Sequence, residues 1–173
     1  MGVRRIEDLV AFQFADEFAS AVFALLRASP AAANDFRFAS QLNESTTGVA
    51  SNISEGYHRI LPSESAQFLR YALSSLAEAK LRLQHGAKRG LYPTEACALA
   101  LVWADRCRRV TDAYRQSQLR LAEERRKKKK KRPENPKRRP KKQNPRAQPA
   151  NRPPADPGGN APPSDPDEGD MDR

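Results

Sequence analysis

Apolar side chains recur at the spacing of a helix turn in four stretches of this chain, and after residue 124 the pattern stops. Apolar positions three and four apart bury one face of a helix, whereas strict alternation would bury one face of a strand, and no alternating stretch is present. The chain up to residue 124 is therefore expected to be all-α. Charge divides at the same place: residues 1–124 hold 15 Lys and Arg against 14 Asp and Glu, whereas residues 125–173 hold 16 against 7, together with eleven of the fourteen prolines. So few apolar residues cannot offset the entropy lost on ordering. Residues 1–124 are read as one domain and residues 125–173 as a disordered tail, basic and proline-rich at first and acidic at its end.

The first helical segment runs from about Glu7 to Ala28 and is closed by Ser29-Pro30. Val10, Phe14, Phe18, Ala21, Val22 and Leu25 form its main stripe. Leu9, Phe12, Ala19, Phe23 and Leu26 widen the apolar arc to about 220°, well beyond the roughly 100° that a surface helix needs to face a core. Two arrangements would cover such an arc: a central position in a bundle, or a second, intermolecular interface. The second segment, about Phe38 to Arg59, places Leu42, Thr46, Val49, Ile53 and Tyr57 on one face. It is rich in Ser, Thr, Asn and Gly, so close packing against a neighbour, and not intrinsic propensity, must hold it helical.

The third segment, about Pro62 to Lys88, aligns Phe68, Leu69, Ala72, Leu73, Leu76, Ala79, Leu83 and Ala87 on one side. Pro62 suits a first helical position and Gly90 a stop. A fourth helix is expected to begin near Thr94 as N-cap, with a stripe of Leu99, Trp103, Cys107, Val110, Tyr114 and Leu121. Short connections favour antiparallel neighbours, so the expected architecture is an antiparallel up-down four-helix bundle followed by the disordered C-terminal tail.

Several functional classes fall away. No run of apolar residues approaches the roughly 18–20 needed to span a membrane, and Met1 to Leu9 carries Arg4, Arg5, Glu7 and Asp8 where an export signal would be apolar. No membrane partner is expected. Cys97 and Cys107 fall in one helix about 15 Å apart, too far for a disulfide. Reduced thiols of this kind suit a cytoplasmic location. His58 and His85 belong to no His-Glu-x-x-His or Cys-x-x-Cys arrangement, so no metal is expected. Neither a phosphate-cradling glycine loop nor a nucleophile with a base beside it is present, and the chain is expected to need no cofactor and to be no enzyme.

The tail carries the strongest chemistry. Between Arg125 and Arg152 there are fifteen Lys and Arg and a single acid, Glu134. Polyphosphate backbones match such a segment, because each neutralised phosphate releases condensed counterions. The expected nucleic-acid contacts are Arg125, Arg126, Lys127, Lys128, Lys129, Lys130, Lys131, Arg132, Lys137, Arg138, Arg139, Lys141 and Lys142. Trp103 and Tyr114 lie on the expected buried face, leaving base stacking no platform nearby. The competing reading is a solubilising extension, since residues 153–173 carry six acids against one Arg and oppose the basic stretch in cis. On the fourth helix Arg108 and Arg115 point together and would add a basic surface if several copies lined a common ring.

The run Asn52-Ile53-Ser54-Glu55-Gly56-Tyr57-His58-Arg59, followed by Ser63-Glu64-Ser65-Ala66-Gln67-Phe68-Leu69, resembles the Asn-Ile-Ala-Glu-Gly-x-x-Arg signature of a bacterial four-helix-bundle family. That family includes the proteins encoded in intervening sequences of 23S ribosomal RNA genes. Ile6-Glu7-Asp8-Leu9, Gln41-Leu42 and Gly90-Leu91-Tyr92 support the resemblance, which covers about residues 4–120. It implies a homopentameric ring, and a likeness to the accessory protein of diversity-generating retroelements, which engages a reverse transcriptase and nucleic acid. The chain departs from the family at Asn43-Glu44, where consecutive arginines are usual, at Ser65 in place of Phe, and at His58 in place of Gly. Loss of those arginines moves the expected nucleic-acid contact from the bundle to the tail. Asn52, Glu55, Gly56 and Arg59 read as a structural motif, with Glu55 and Arg59 four apart and able to pair along the helix. The expected function is a non-enzymatic oligomeric scaffold on RNA or DNA, and the alternative is a protein–protein adaptor with the tail as a spacer.

Overall fold

The computed structural model describes residues 4–131, and among them there are helices and no strands. A 3-10 turn, Ile6–Asp8, leads into α1 (Val10–Ala28). A five-residue helix α2 (Pro30–Asn34) links it to α3 (Phe36–Tyr57), and then come α4 (Pro62–Lys88), a second 3-10 turn (Thr94–Cys97) and α5 (Ala98–Lys131). The four long helices form a closed set of neighbours: α1 packs on α3 and α5, and α4 packs on α3 and α5. This is the four-helix bundle that the periodicity predicts. The disordered tail expected over residues 125–173 falls outside the described residues from Arg132 onward.

The boundaries follow from local chemistry. Asp35 caps α3, its Oδ1 accepting the Phe38 backbone N–H at 3.0 Å, which satisfies one of the unpaired donors of a first helical turn. Pro62 opens α4, where its missing N–H is no loss. At the other end Gly90 adopts φ +73°, the left-handed conformation that favours glycine. The Leu91 N–H then reaches the Gly86 carbonyl at 3.0 Å and the Gly90 N–H the Ala87 carbonyl at 2.9 Å, the paired bonds of a Schellman stop.

The core contains Phe18, Val22, Leu42, Val49, Ile53, Leu69, Leu76 and Leu83, all essentially excluded from solvent. The wide apolar arc of α1 is largely covered within the subunit. Phe14 meets Trp103 of α5 with ring centroids 5.7 Å apart, Phe12 and Phe23 are half-buried, and Val10 stays exposed. Between α3 and α4 the small residues allow the close approach expected of them, since Gly56 lies so near Phe68 and the Ser65 carbonyl that an added Cβ would sit 3.2 Å from both.

α5 departs from expectation in three ways. Thr94 is the first residue of the 3-10 turn and caps nothing, the position before the turn being Pro93. The buried seam is Ala100, Ala104, Cys107 and Thr111. Leu99, expected in the core, is 62% exposed, Leu121 is also outside, and Trp103, Val110 and Tyr114 are half-buried at the margin. Small side chains let α5 approach its neighbours closely, and the larger residues are displaced to the flanks. Finally, the helix does not end at Glu124 but continues to Lys131. Lys and Arg are good helix formers, cations are favoured near a helix C-terminus, and Glu123 pairs with Lys127 one turn on, at 3.2 Å. These terms outweigh the like-charge repulsion of successive turns.

Candidate nucleic-acid interface

α5 has 34 residues, so at about 1.5 Å per residue it is ~51 Å long. Leu119, Ala122, Arg125 and Arg126 lie level with Leu61 and Pro62 at the start of α4, where the two elements line a groove of about 560 Å³. Lys127 to Lys131 thus carry the helix about one and a half turns past that end of the bundle. Consecutive residues of a helix point about 100° apart, so this overhang is cationic on every side. The contiguous charge read from the sequence becomes a rod with the shape and sign to lie along a phosphate backbone.

Not every cation of the run is free. The Arg125 guanidinium donates to the Ile60 carbonyl at 3.3 Å and ties α5 to the α3–α4 connection, and Lys127 pairs with Glu123. Arg126, Lys128, Lys129 and Lys130 are exposed. Arg132, Lys137, Arg138, Arg139, Lys141 and Lys142 lie outside the described residues. Arg108 is exposed beside Leu81 in the groove between α4 and α5, while Arg115 is half-buried and donates through Nε to Asp112 Oδ1 at 3.2 Å. The two arginines thus differ in how much charge they have to offer.

Asn52, Glu55, Gly56 and Arg59 all engage neighbours within the bundle. Asn52 Nδ2 donates to the Gly48 carbonyl at 2.7 Å, and Gly56 admits α4. Arg59 pairs with Glu55 and lays its guanidinium over the Phe68 ring at 4.6 Å. An exposed helical ion pair contributes about 0.2–0.5 kcal/mol and an exposed cation–π contact about 0.5–1 kcal/mol. Arg59→Gln is therefore expected to lower the unfolding free energy by about 1 kcal/mol, read from the urea midpoint, and to leave nucleic-acid affinity unchanged. A large loss of affinity would assign Arg59 to the ligand surface instead.

Both histidines are exposed, and among the described residues no three His, Cys, Asp or Glu side chains are grouped to hold a metal ion. Both cysteines are buried and free. Desolvation pushes the Cys107 thiol up to about 11 and raises that of Cys97 as well, so at neutral pH both remain protonated and poorly nucleophilic. No described helix is long and apolar enough to cross a membrane.

Sequence reasoning missed the surroundings of the overhang. Half-exposed Leu61 and Leu119 line a groove with Arg125 and Arg126, and Ile60, 87% exposed, meets Arg125 through its carbonyl. The sequence signal was there, in two aliphatics falling between a helix end and Pro62, but only the fold brings them next to residues sixty positions away.

Residues 7–113 match the 23S rRNA-intervening sequence protein family. The match runs from the turn before α1 into the middle of α5 and stops short of the basic overhang. No curated protein and no solved structure matches the chain.

Proposed function

The chain belongs to the 23S rRNA-intervening sequence protein family, and on that premise we propose that it is a non-enzymatic, oligomeric scaffold on nucleic acid. It would act in the cytoplasm, holding RNA or DNA by the phosphate backbone through the α5 overhang and the basic residues that follow. The observation that carries this reading is the overhang itself, a helix charged on all sides beyond the last bundle contacts. Such binding is indifferent to base sequence and depends steeply on salt.

The test is a titration of duplex DNA or RNA over a range of salt, comparing the full chain with a full-length variant in which Lys128, Lys129, Lys130 and Lys131 are Gln. Arg125 is kept, because it ties α5 to the Ile60 carbonyl. At about 0.9 per phosphate contact on duplex DNA, the slope of log affinity against log salt should fall by roughly 3 to 4. Equal slopes and affinities would reject the role of the overhang.

Assembly would give these contacts their force, since several basic arms on one particle convert weak contacts into avid ones. A homopentamer is the assembly inferred. Leu81, Leu99 and Val102, left outside the subunit, support a further interface. Sedimentation equilibrium at micromolar concentration should give a multiple of the subunit mass, and a single folded species of monomer mass would overturn the oligomer. The groove formed by Leu61, Pro62, Leu119 and Ala122 favours a second reading, an adaptor that docks another protein there. A partner retained equally by nuclease-treated wild type and by the Lys→Gln variant would select it.

A further inference from the structure

At the end of the bundle away from the α5 overhang, the start of α3 and the last turns of α4 line an open pocket of about 380 Å³, within the range of small-molecule sites. Arg37, Arg82, His85 and Arg89 line it, with Phe38 and Gln41 beside them. A concentration of arginines in one concavity would repel itself unless partly neutralised, and two carboxylates do this while also orienting the side chains. Asp35 Oδ2 accepts from Arg89 Nη2 at 2.5 Å, and Glu78 Oε1 accepts from Arg82 Nη2 at 2.5 Å. Arg82 Nη1 is held by Gln41 Oε1 at 2.7 Å.

These contacts leave donors over. A guanidinium carries five N–H donors in a planar fork. Arg82 Nε is shut off from solvent and adds no donor to the open pocket, Arg89 contacts one Asp35 oxygen and lies over the Phe38 ring, and Arg37 acts on Asp35 through its charge alone, with no hydrogen bond holding its side chain. Both Asp35 oxygens are already occupied, since Oδ1 also accepts the Phe38 backbone N–H. That bond first, and the Arg89 contact second, hold the Asp35 carboxyl below its ordinary range, so it stays anionic and keeps Arg89 in place. Three guanidiniums and an imidazole line the pocket against two carboxylates, and the Arg37 fork and the remaining Arg89 N–H groups are left without an acceptor. Planar forks of this kind recognise the oxygens of a phosphate. Phe36, next to Arg37, is 82% exposed and supplies an aromatic face at the same helix start.

We propose that the pocket framed by Arg37, Arg82, His85 and Arg89 binds a phosphate group, carried by a free nucleotide or by the end of a nucleic-acid strand. The site does not depend on the basic overhang, which lies at the other end of the bundle, and it stands or falls separately from that reading.

The test uses the full chain carrying Gln at Lys128–Lys131, so that the overhang contributes little. Inorganic phosphate, adenosine monophosphate, and a short oligonucleotide with and without a 5′-phosphate are titrated while backbone amide NMR shifts are followed. Saturable shifts confined to residues 35–41 and 82–91 are expected. Arg37 makes no hydrogen bond to another side chain, so Arg37→Gln should keep the fold and weaken phosphate binding about tenfold, the value of one hydrogen bond to a charged group. Adenosine monophosphate binding tighter than either the phosphate ion or the phosphorylated oligonucleotide identifies a nucleotide site, and preference for the phosphorylated over the unphosphorylated strand identifies a strand-end site. Shifts elsewhere, or an Arg37→Gln variant that binds every probe as well as its parent, would overturn the proposal.

Discussion

Phe18→Ala is expected to lower the free energy of unfolding by about 3–5 kcal/mol, the range for truncating a fully buried aromatic ring. Phe18 has no exposed surface and belongs to the core cluster with Val22, Leu42, Ile53, Leu69 and Leu76. Its removal loses both the transfer free energy of the ring and the contacts that surround the space left behind. A domain of this size has about 5–15 kcal/mol of stability in total, so the variant should sit near the threshold of folding. Urea denaturation followed by circular dichroism gives the measurement: the midpoint should fall sharply with little change in slope. A loss below about 1 kcal/mol would mean that the ring occupies a loose site, not a close-packed core.

Gly86→Ala should also destabilise, by about 2 kcal/mol, although alanine is the better helix former. Gly86 lies within α4, where glycine weakens a helix by roughly 0.5–1 kcal/mol relative to alanine. On propensity alone the substitution would therefore stabilise. The added Cβ, however, would fall on the Tyr92 hydroxyl and 2.7 Å from the Phe38 ring. Neither can retreat freely: Tyr92 is buried, its hydroxyl donates to the Leu83 carbonyl at 2.8 Å, and Phe38 packs against its ring. Overpacking adds about 1–3 kcal/mol and loss of the hydrogen bond about 0.5–1.5 kcal/mol, which together exceed the propensity gain. Tyr92→Phe removes the atom closest to the new methyl, so Gly86→Ala should be less harmful in that background. A double-mutant cycle measures this coupling, and a stabilising Gly86→Ala in the native background would contradict the packing at this turn.

Individual elements show how much was legible. α4 was readable to the residue at both ends because Pro62 and Gly90 act locally: one lacks a donor that a first turn does not need, the other adopts a left-handed conformation. α3 was recognisable from Leu42, Val49 and Ile53 despite its poor propensity, since buried face and period outweigh the Ser and Gly between them. α5 was recognised as a helix and misread as a surface. Counting large apolar residues placed Leu99 and Leu121 in the core, where they are not; Cys107 of the expected stripe is buried, Trp103, Val110 and Tyr114 pack at its edge, and Ala100, Ala104 and Thr111 complete the seam. Size is visible in a sequence; the distance between two helix axes, which decides whether a large or a small residue fits, is not. The helix runs past the boundary drawn at Glu124 for a related reason. The apolar period ends there, but backbone helicity needs only good helix formers and the pairing of Glu123 with Lys127.

The candidate sites divide likewise. The run of cations in α5 was visible as composition, whereas its form as a rod beyond the bundle was not. The pocket of Arg37, Arg82, His85 and Arg89 left no mark on the sequence, because its members come from two helices and look like ordinary exposed charges one by one.

By itself the sequence determined that residues 1–124 would be built of helices, where α4 starts and stops and where α1 ends, and that the positive charge collects after the last apolar turn. Each of these depends on the backbone and on neighbours a few positions away. Only the tertiary structure decided which face of α5 is buried, why Gly86 must be glycine, and which arginines share a pocket. Those depend on distances between helices, set by the packing of all four together.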